Sequence, residues 1–336
     1  MMRKRPTLGD IAAVAGVSRA TVSLVVRNSP LVADATRARV EAVMAEMDYV
    51  RDIGAARLRN NSSRTVGVVV PNLVNPFFTE FLSGVEQAMG QQDRVVLLAN
   101  SEDDPHRQDE ILQRFRGHGV DGVILCPAQG TDPDLPARMA RWGLPLVQAL
   151  REIGTGGDYA GADYVAGVGL ALRHLVALGH RRVAFLSVAA RTSARAERLR
   201  GFARALAETG ATDAGIVEAE LTWEGAAEAA GRILALPDRP TAVLCFNDVL
   251  AAGLMLGLRR AGVVPGRDMA VAGLDDLPLA QLTFPPLTSV SMWPARQGAA
   301  AGRLLIRRLS DPGAAPERVM QAPDLAPRES CGEQRC

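Results

Sequence analysis

A single lysine, Lys4, stands among the 38 basic residues of this 336-residue chain. There is no phosphate-cradling G-x-x-x-x-G-K-[ST] loop, and no G-x-G-x-x-G follows the first strand-like run. The commonest nucleotide-binding enzyme motifs are therefore missing. Cysteine and histidine are equally scarce, four of each. Cys126, Cys245, Cys331 and Cys336 form no C-x-x-C pair, and His106, His118, His174 and His180 show no H-x-x-x-H or H-E-x-x-H spacing. Neither a zinc site nor a disulfide framework is expected. Cys331 and Cys336 read as free thiols in a disordered polar tail. No run of about 18 apolar residues occurs, so nothing is expected to span a membrane. Met1–Arg5 is basic, but a polar, acid-containing stretch follows it instead of an apolar signal core, which predicts a cytoplasmic protein.

What is present is the composition of a folded chain: 48% hydrophobic and 22% charged, with a formal net charge of +1. The near-neutral total hides an asymmetry. Residues 1–64 carry 11 basic against 6 acidic side chains, a net of +5, and the remaining 272 carry 27 against 31, a net of −4. A small basic module ahead of a slightly acidic body points to a polyanion at the front end.

The front module reads as three helices. Thr7 with Asp10 three residues on is an N-terminal cap for a helix over 8–15. Gly16 suits the positive φ of a tight turn, Ser18 caps a second helix over 19–27, and Asn28-Ser29-Pro30 stops it. A third helix starts near Asp34, with Val40, Val43, Met44 and Met47 as its buried stripe. Two short helices around a glycine turn with a supporting third form a helix-turn-helix.

From Arg64 the texture changes to short apolar strands alternating with amphipathic helices, the signature of βαβ units and parallel sheets. Strand-like runs fall at 66–71, 94–99, 122–126, 144–149, 182–187, 216–219, 242–246 and 269–273. Two blocks, near 64–161 and 163–288, predict two doubly wound lobes with a ligand cleft between them.

The ordered series Thr7-Leu8-x-x-Ile11-Ala12-x-x-Ala15-Gly16-Val17-Ser18-x-x-Thr21-Val22-Ser23, Met47-x-Tyr49, Ala55-x-x-Leu58, Asn75-Pro76-Phe77-Phe78, Arg200-Gly201-Phe202, Asn247-Asp248 and Gly273-x-Asp275-Asp276 resembles the lactose-repressor family of bacterial transcription regulators. The resemblance runs in order over residues 6–325. It implies a helix-turn-helix headpiece at 1–51, a hinge helix at 52–63, and an α/β two-lobed body at 64–330 like the periplasmic sugar-binding proteins. The lobes would comprise 64–161 with 291–322 and 163–288 with 323–330, ahead of a tail at 331–336.

On the residues themselves, Arg19 is long enough for a bidentate contact with guanine, and Ala20 could lie against a thymine methyl. The resemblance makes positions 19, 20 and 24 the base readers. Leu24 departs from that pattern because it cannot hydrogen-bond a base, which shifts specificity toward Arg19, Arg27 and Asn28. Thr7, Ser18, Thr21, Ser23, Tyr49 and Ala55 complete the expected DNA-binding set, and Leu58 matches the leucine that wedges into the minor groove. For the effector, Arg198, Trp223, Asn247 and Asp275 match cleft residues of the family. Asp275 could instead cap a turn, and Trp223 could be helix-start packing. Phe77 and Phe78 line either the pocket or the core of the first lobe, and His174 and His180 read as structural. The expected protein is a repressor without cofactor or metal, a homodimer on palindromic operator DNA, governed by a sugar-like effector. The alternative is a sugar-binding protein with no DNA role.

Overall fold

The computed structural model describes residues 6–49, 62–154, 156–237 and 239–332. Gly54, Ala55 and Leu58, with most of the expected hinge helix, lie outside the described residues, as does Cys336. The chain divides into two compact units, Met1–Ser63 and Arg64–Cys336.

In the first unit, α1 spans Leu8–Ala15, α2 Arg19–Val26 and α3 Asp34–Glu46. Thr7 and Asp10 form a reciprocal capping box: Asp10 N donates to Thr7 Oγ1 at 3.3 Å and Thr7 N to Asp10 Oδ2 at 2.8 Å. Gly16, at φ 64°, ends α1 in the left-handed region, where a side chain would be strained. Ser18 Oγ accepts from Thr21 N at 3.0 Å and starts α2. Ile11, Ala15, Val22, Val25, Val40 and Val43 are buried together, with Met44 and Met47 partly covered at their edge. That is the stripe expected from the sequence.

The second unit holds two parallel sheets. The first comprises β1 (Thr65–Val70), β2 (Val95–Asn100), β3 (Gly122–Leu125), β4 (Leu146–Ala149), β5 (Asp158–Ala162) and β11 (Arg318–Gln321), in the order β11-β5-β4-β3-β1-β2. Its helices are α4 (Pro76–Gly90), α5 (Pro105–His118), α6 (Leu135–Arg141) and the late α12 (Pro294–Ser310). The second sheet, β7-β6-β8-β9, uses β6 (Arg182–Val188), β7 (Thr212–Ala219), β8 (Ala242–Cys245) and β9 (Ala270–Ala272). Around it lie α7 (Tyr164–Ala177), α8 (Ser193–Thr209), α9 (Trp223–Leu234), α10 (Asp248–Arg260) and the short α11 (Leu279–Leu282). Between the lobes, β10 (Ser289–Ser291) pairs antiparallel with β12 (Asp324–Ala326). The chain thus passes from lobe to lobe three times: after β5, after β10 and after β11.

Several of these elements carry little sequence signal. Asp158–Ala162 has no β-branched residue, yet it is a strand because β4 and β11 pair with it on both edges. The glycines of α12 let two helices approach closely. A Cβ on Gly298 would stand 1.9 Å from Phe81 O, and one on Gly84 1.9 Å from Ala295 O. Cys331 corrects the tail expectation: it is fully buried, and its Sγ lies 3.5 Å from Val271 O. His180 is buried beside it, its Nε2 3.3 Å from Cys331 O. Among the described residues no single helix is long and apolar enough to cross a membrane.

Candidate functional site

Two surfaces carry the expected chemistry. On the headpiece, Arg19 and Ala20 are exposed on the first turn of α2, and no hydrogen bond or ion pair engages Arg19 among the described residues. Thr21, Ser23 and Leu24 are half-buried, with Leu24 packed at the edge of the headpiece core. Arg27 folds back, Nε to Ser23 O at 3.0 Å, and Asn28 sits at φ 53° with its Oδ1 accepting from Arg37 Nη1 at 2.8 Å. Thr7 and Ser18 serve as helix caps, and Tyr49 packs against the core edge. Among the described residues, Arg19 is thus the free cation at the head of α2.

Between the lobes of the body lies a cavity of about 480 Å³, lined by Phe77, Phe78, Tyr164, Arg198, Phe246, Asn247 and Asp275 among others. Arg198 rises from α8 and its guanidinium carbon lies 3.9 Å from the Tyr164 ring centre and 4.2 Å from that of Phe246. Nε donates to Phe246 O and Nη1 to Ala194 O, both at 3.1 Å. Nη2 stands 3.9 Å from Asp275 Oδ1, too far for a hydrogen bond. Asp275 is 3% exposed, and this oxygen has no hydrogen-bond partner among the described residues. Burial pushes the Asp275 carboxyl up to about 7, against the opposing pull of Arg198.

The rest of the wall is built on helix ends and strained turns. Asn247 caps α10, its Oδ1 accepting from Leu250 N at 3.0 Å. Asp248 Oδ2 accepts from Leu277 N at 2.8 Å and Oδ1 from Ser289 Oγ at 2.5 Å, which pins the 275–277 turn. Burial holds the Asp248 carboxyl well above the usual carboxylate range. Glu102, Asp103, Leu150 and Asp275 all line the cavity with positive φ, at 54°, 58°, 64° and 111°. Such backbone strain in non-glycine residues gathers where a site needs it.

Of the residues expected in the cleft, Phe77, Phe78, Arg198, Asn247 and Asp275 line one cavity. Both phenylalanines are also buried in the first lobe's core, so they serve both of the roles open to them. Trp223 does not line it: it starts α9 half-exposed, and Leu221 faces the cavity instead. Sequence reasoning missed Asn72, Asn100, Arg151, Tyr164 and Phe246. Arg151 and Phe246 follow the carboxyl ends of β4 and β8, where ligands of doubly wound sheets sit, and that rule could have found them. Among the described residues no cluster of histidine, cysteine and carboxylate side chains could hold a metal ion.

Comparison with known proteins joins the two surfaces. The lacI family of bacterial regulatory proteins matches residues 7–52, and the periplasmic binding protein-like domain matches residues 172–331. The HTH-type transcriptional repressor PurR of Photobacterium profundum is 32% identical over 96% of this chain and 98% of its own length. A solved Lac repressor dimer, bound to operator and the anti-inducer ONPF, has a TM-score of 0.89 at 25% identity over 98% of this chain and 99% of its own. The transcriptional regulator CelR, in complex with cellobiose, has a TM-score of 0.74 at 30% identity over 97% of this chain and 100% of its own. A helix-turn-helix ahead of a two-lobed binding body defines a DNA-binding transcriptional regulator, not an enzyme. The chain belongs to the lacI family of bacterial regulatory proteins.

Proposed function

We propose that this regulator is a cytoplasmic repressor that binds palindromic operator DNA as a homodimer, each headpiece reading one half-site, and that a small sugar-like effector held between the lobes sets its operator affinity. The observation that carries the effector reading is the unpartnered Asp275 oxygen 3.9 Å from the clamped Arg198 guanidinium. A buried polar pair held just beyond bonding distance suits a hydroxyl that bridges it. Phe77, Phe78, Asn247 and the aromatic walls Tyr164 and Phe246 would complete the contact with a sugar face. The cellobiose complex of CelR and a ribose-bound regulator from Enterococcus faecium support this class of ligand. Exposed apolar side chains on the edge strand β2 (Val95, Leu97, Leu98) and at Leu282 and Phe284 support association of two copies.

At the DNA, Arg19 would read a guanine, Ala20 would pack on a thymine methyl, and Leu58 would be the minor-groove wedge. A gel shift with the cognate upstream region, repeated across salt, tests the DNA side. Binding should fall steeply as salt rises, because each neutralised phosphate releases counterions. Affinity that is flat with salt removes the +5 headpiece from the mechanism. Release or tightening of the same complex by a sugar, lost in Arg198→Ala, tests the effector side.

A further inference from the structure

The cleft is lined by several side chains whose free ends are hydrogen-bond donors. Asn72, Asn75, Asn100 and Asn247 each place the side-chain carbonyl oxygen on a backbone N–H, at 2.8, 3.0, 3.2 and 3.0 Å. An amide whose oxygen is fixed in this way has its NH2 group, two donors, as the free end. Arg198 adds Nη2.

Arg151 adds more. It follows β4 at the point where Leu150 turns into the left-handed region, φ 64°, a conformation a branched side chain rarely adopts. Its Nη1 donates to Asp103 Oδ1 at 2.5 Å and to Pro127 O at 3.1 Å. That holds the guanidinium by one corner. The opposite edge, Nε and Nη2, has no partner among the described residues, and the side chain lines the cavity. Two parallel N–H groups on one guanidinium edge are the fork that grips a planar carboxylate.

Asp103 balances the guanidinium charge from Nη1, but the negative groups nearby do not occupy the donors of this edge. Asp103 is bound to Nη1 and to Gln129 N, and Glu102 is paired with Arg107 at 3.0 Å. Burial keeps the Asp275 carboxyl partly protonated at neutral pH, and it pushes the adjacent Cys126 thiol up to about 12, so that group is neutral.

Resting on the reading of this cleft as the effector site, we propose that the effector carries a carboxylate seated on the Nε/Nη2 edge of Arg151, so that its class is a polyhydroxylated acid, an aldonate or uronate, and not a neutral sugar. The acid end faces the first lobe and the hydroxyls face Arg198, Asn247 and Asp275 on the second. A phosphate would bring a further negative charge to a single free edge and is the weaker fit.

Thermal melting and calorimetric titration of the full chain decide it, with matched sets at millimolar concentration: glucose, gluconate, glucuronate and glucose 6-phosphate, and the galactose equivalents. At least one acid should raise the melting temperature of the wild type above the shift given by its neutral parent and by the phosphate. Arg151→Lys retains the charge beside Asp103 but removes the fork, and should weaken that acid at least tenfold. A neutral parent that stabilises as strongly as its acid overturns the proposal, as does Arg151→Lys with full acid affinity. Stabilisation by the phosphate above both acids overturns it in favour of a phosphorylated ligand. If neutral sugars alone stabilise the chain, the carboxylate fails and the sugar-effector reading stands. If no member of any set does, both fail.

Discussion

The two polar surfaces of this protein are built on opposite physical terms. On α2 Arg19 is exposed and, among the described residues, unengaged, and the residues around it are occupied with holding the helix: Ser18 caps it, Arg27 folds back on it and Asn28 is tied to Arg37. In the cleft the reverse holds. Arg198 and Asp275 are almost fully buried, and among the described residues Asp275 Oδ1 has no hydrogen-bond partner. A group that meets a solvated polyanion can stay hydrated until contact. A group that must discriminate a small neutral or singly charged molecule is desolvated in advance, so that a ligand lacking the right partner leaves it orphaned. The two surfaces should therefore fail differently. Damage to α2 should show in DNA binding alone, and damage to the cleft should show in stability as well.

Arg198→Ala is the sharpest test of that contrast. It removes the buried guanidinium whose Nε and Nη1 bond Phe246 O and Ala194 O, a loss of about 1–3 kcal/mol in the stability of the body for each carbonyl left without its donor. Chemical denaturation reads it directly, and a loss below about 1 kcal/mol breaks the comparison. Next is the pH profile. The Asp275 carboxyl lies at about 7 in the folded chain against an ordinary 3.8, so the folded state keeps a proton that the unfolded state gives up. Its contribution to stability is complete below about pH 4 and is lost as pH rises through 7. Asp275→Asn should flatten the melting temperature across that window and raise it at neutral pH. A slope that survives the substitution assigns the proton elsewhere. Arg19→Ala should lower specific operator affinity by about 1–3 kcal/mol at one base pair per half-site. Its unfolding free energy should stay within about 0.5 kcal/mol of wild type. Uniform weakening on every DNA sequence makes Arg19 a phosphate anchor instead. The smallest effect belongs to Thr7→Ala, which opens the capping box and should destabilise the headpiece by about 1 kcal/mol, read by its melting.

The headpiece was legible almost residue by residue because its signals are local. Thr7, Gly16, Ser18 and the 3–4 spacing of Val40, Val43 and Met47 act within one or two turns of chain. The body was legible wherever a strand is a continuous apolar run, as at Val66–Val70. It was not legible where partners distant in sequence decide the state. Asp158–Ala162 is a strand through its neighbours, α12 is a helix whose glycines have a packing reason only beside α4, and Cys331 is core only because β9 receives it. The cleft divides in the same way. Arg198, Asn247 and Asp275 could be placed by their surroundings in the sequence, whereas Arg151 becomes visible as a cavity-lining group only once Asp103 and Pro127 are seen to hold its other corner. Trp223, aromatic and at a helix start, had the right chemistry but stands half-exposed outside the cavity.

The glycine contacts between α4 and α12 also set an order of events at the ribosome. The first sheet takes its edge strand, Arg318–Gln321, and its covering helix, Pro294–Ser310, from the end of the chain, whereas the second sheet is built entirely from residues 182–272. As the polypeptide emerges, β1 to β5 come out first, but the groove along Phe81, Gly84 and Val85 stays open until the last fifth of the protein has been made. The second lobe has its whole sheet in hand well before that. The lobe whose synthesis begins first thus keeps part of its apolar face uncovered after the strands of the second sheet have been made.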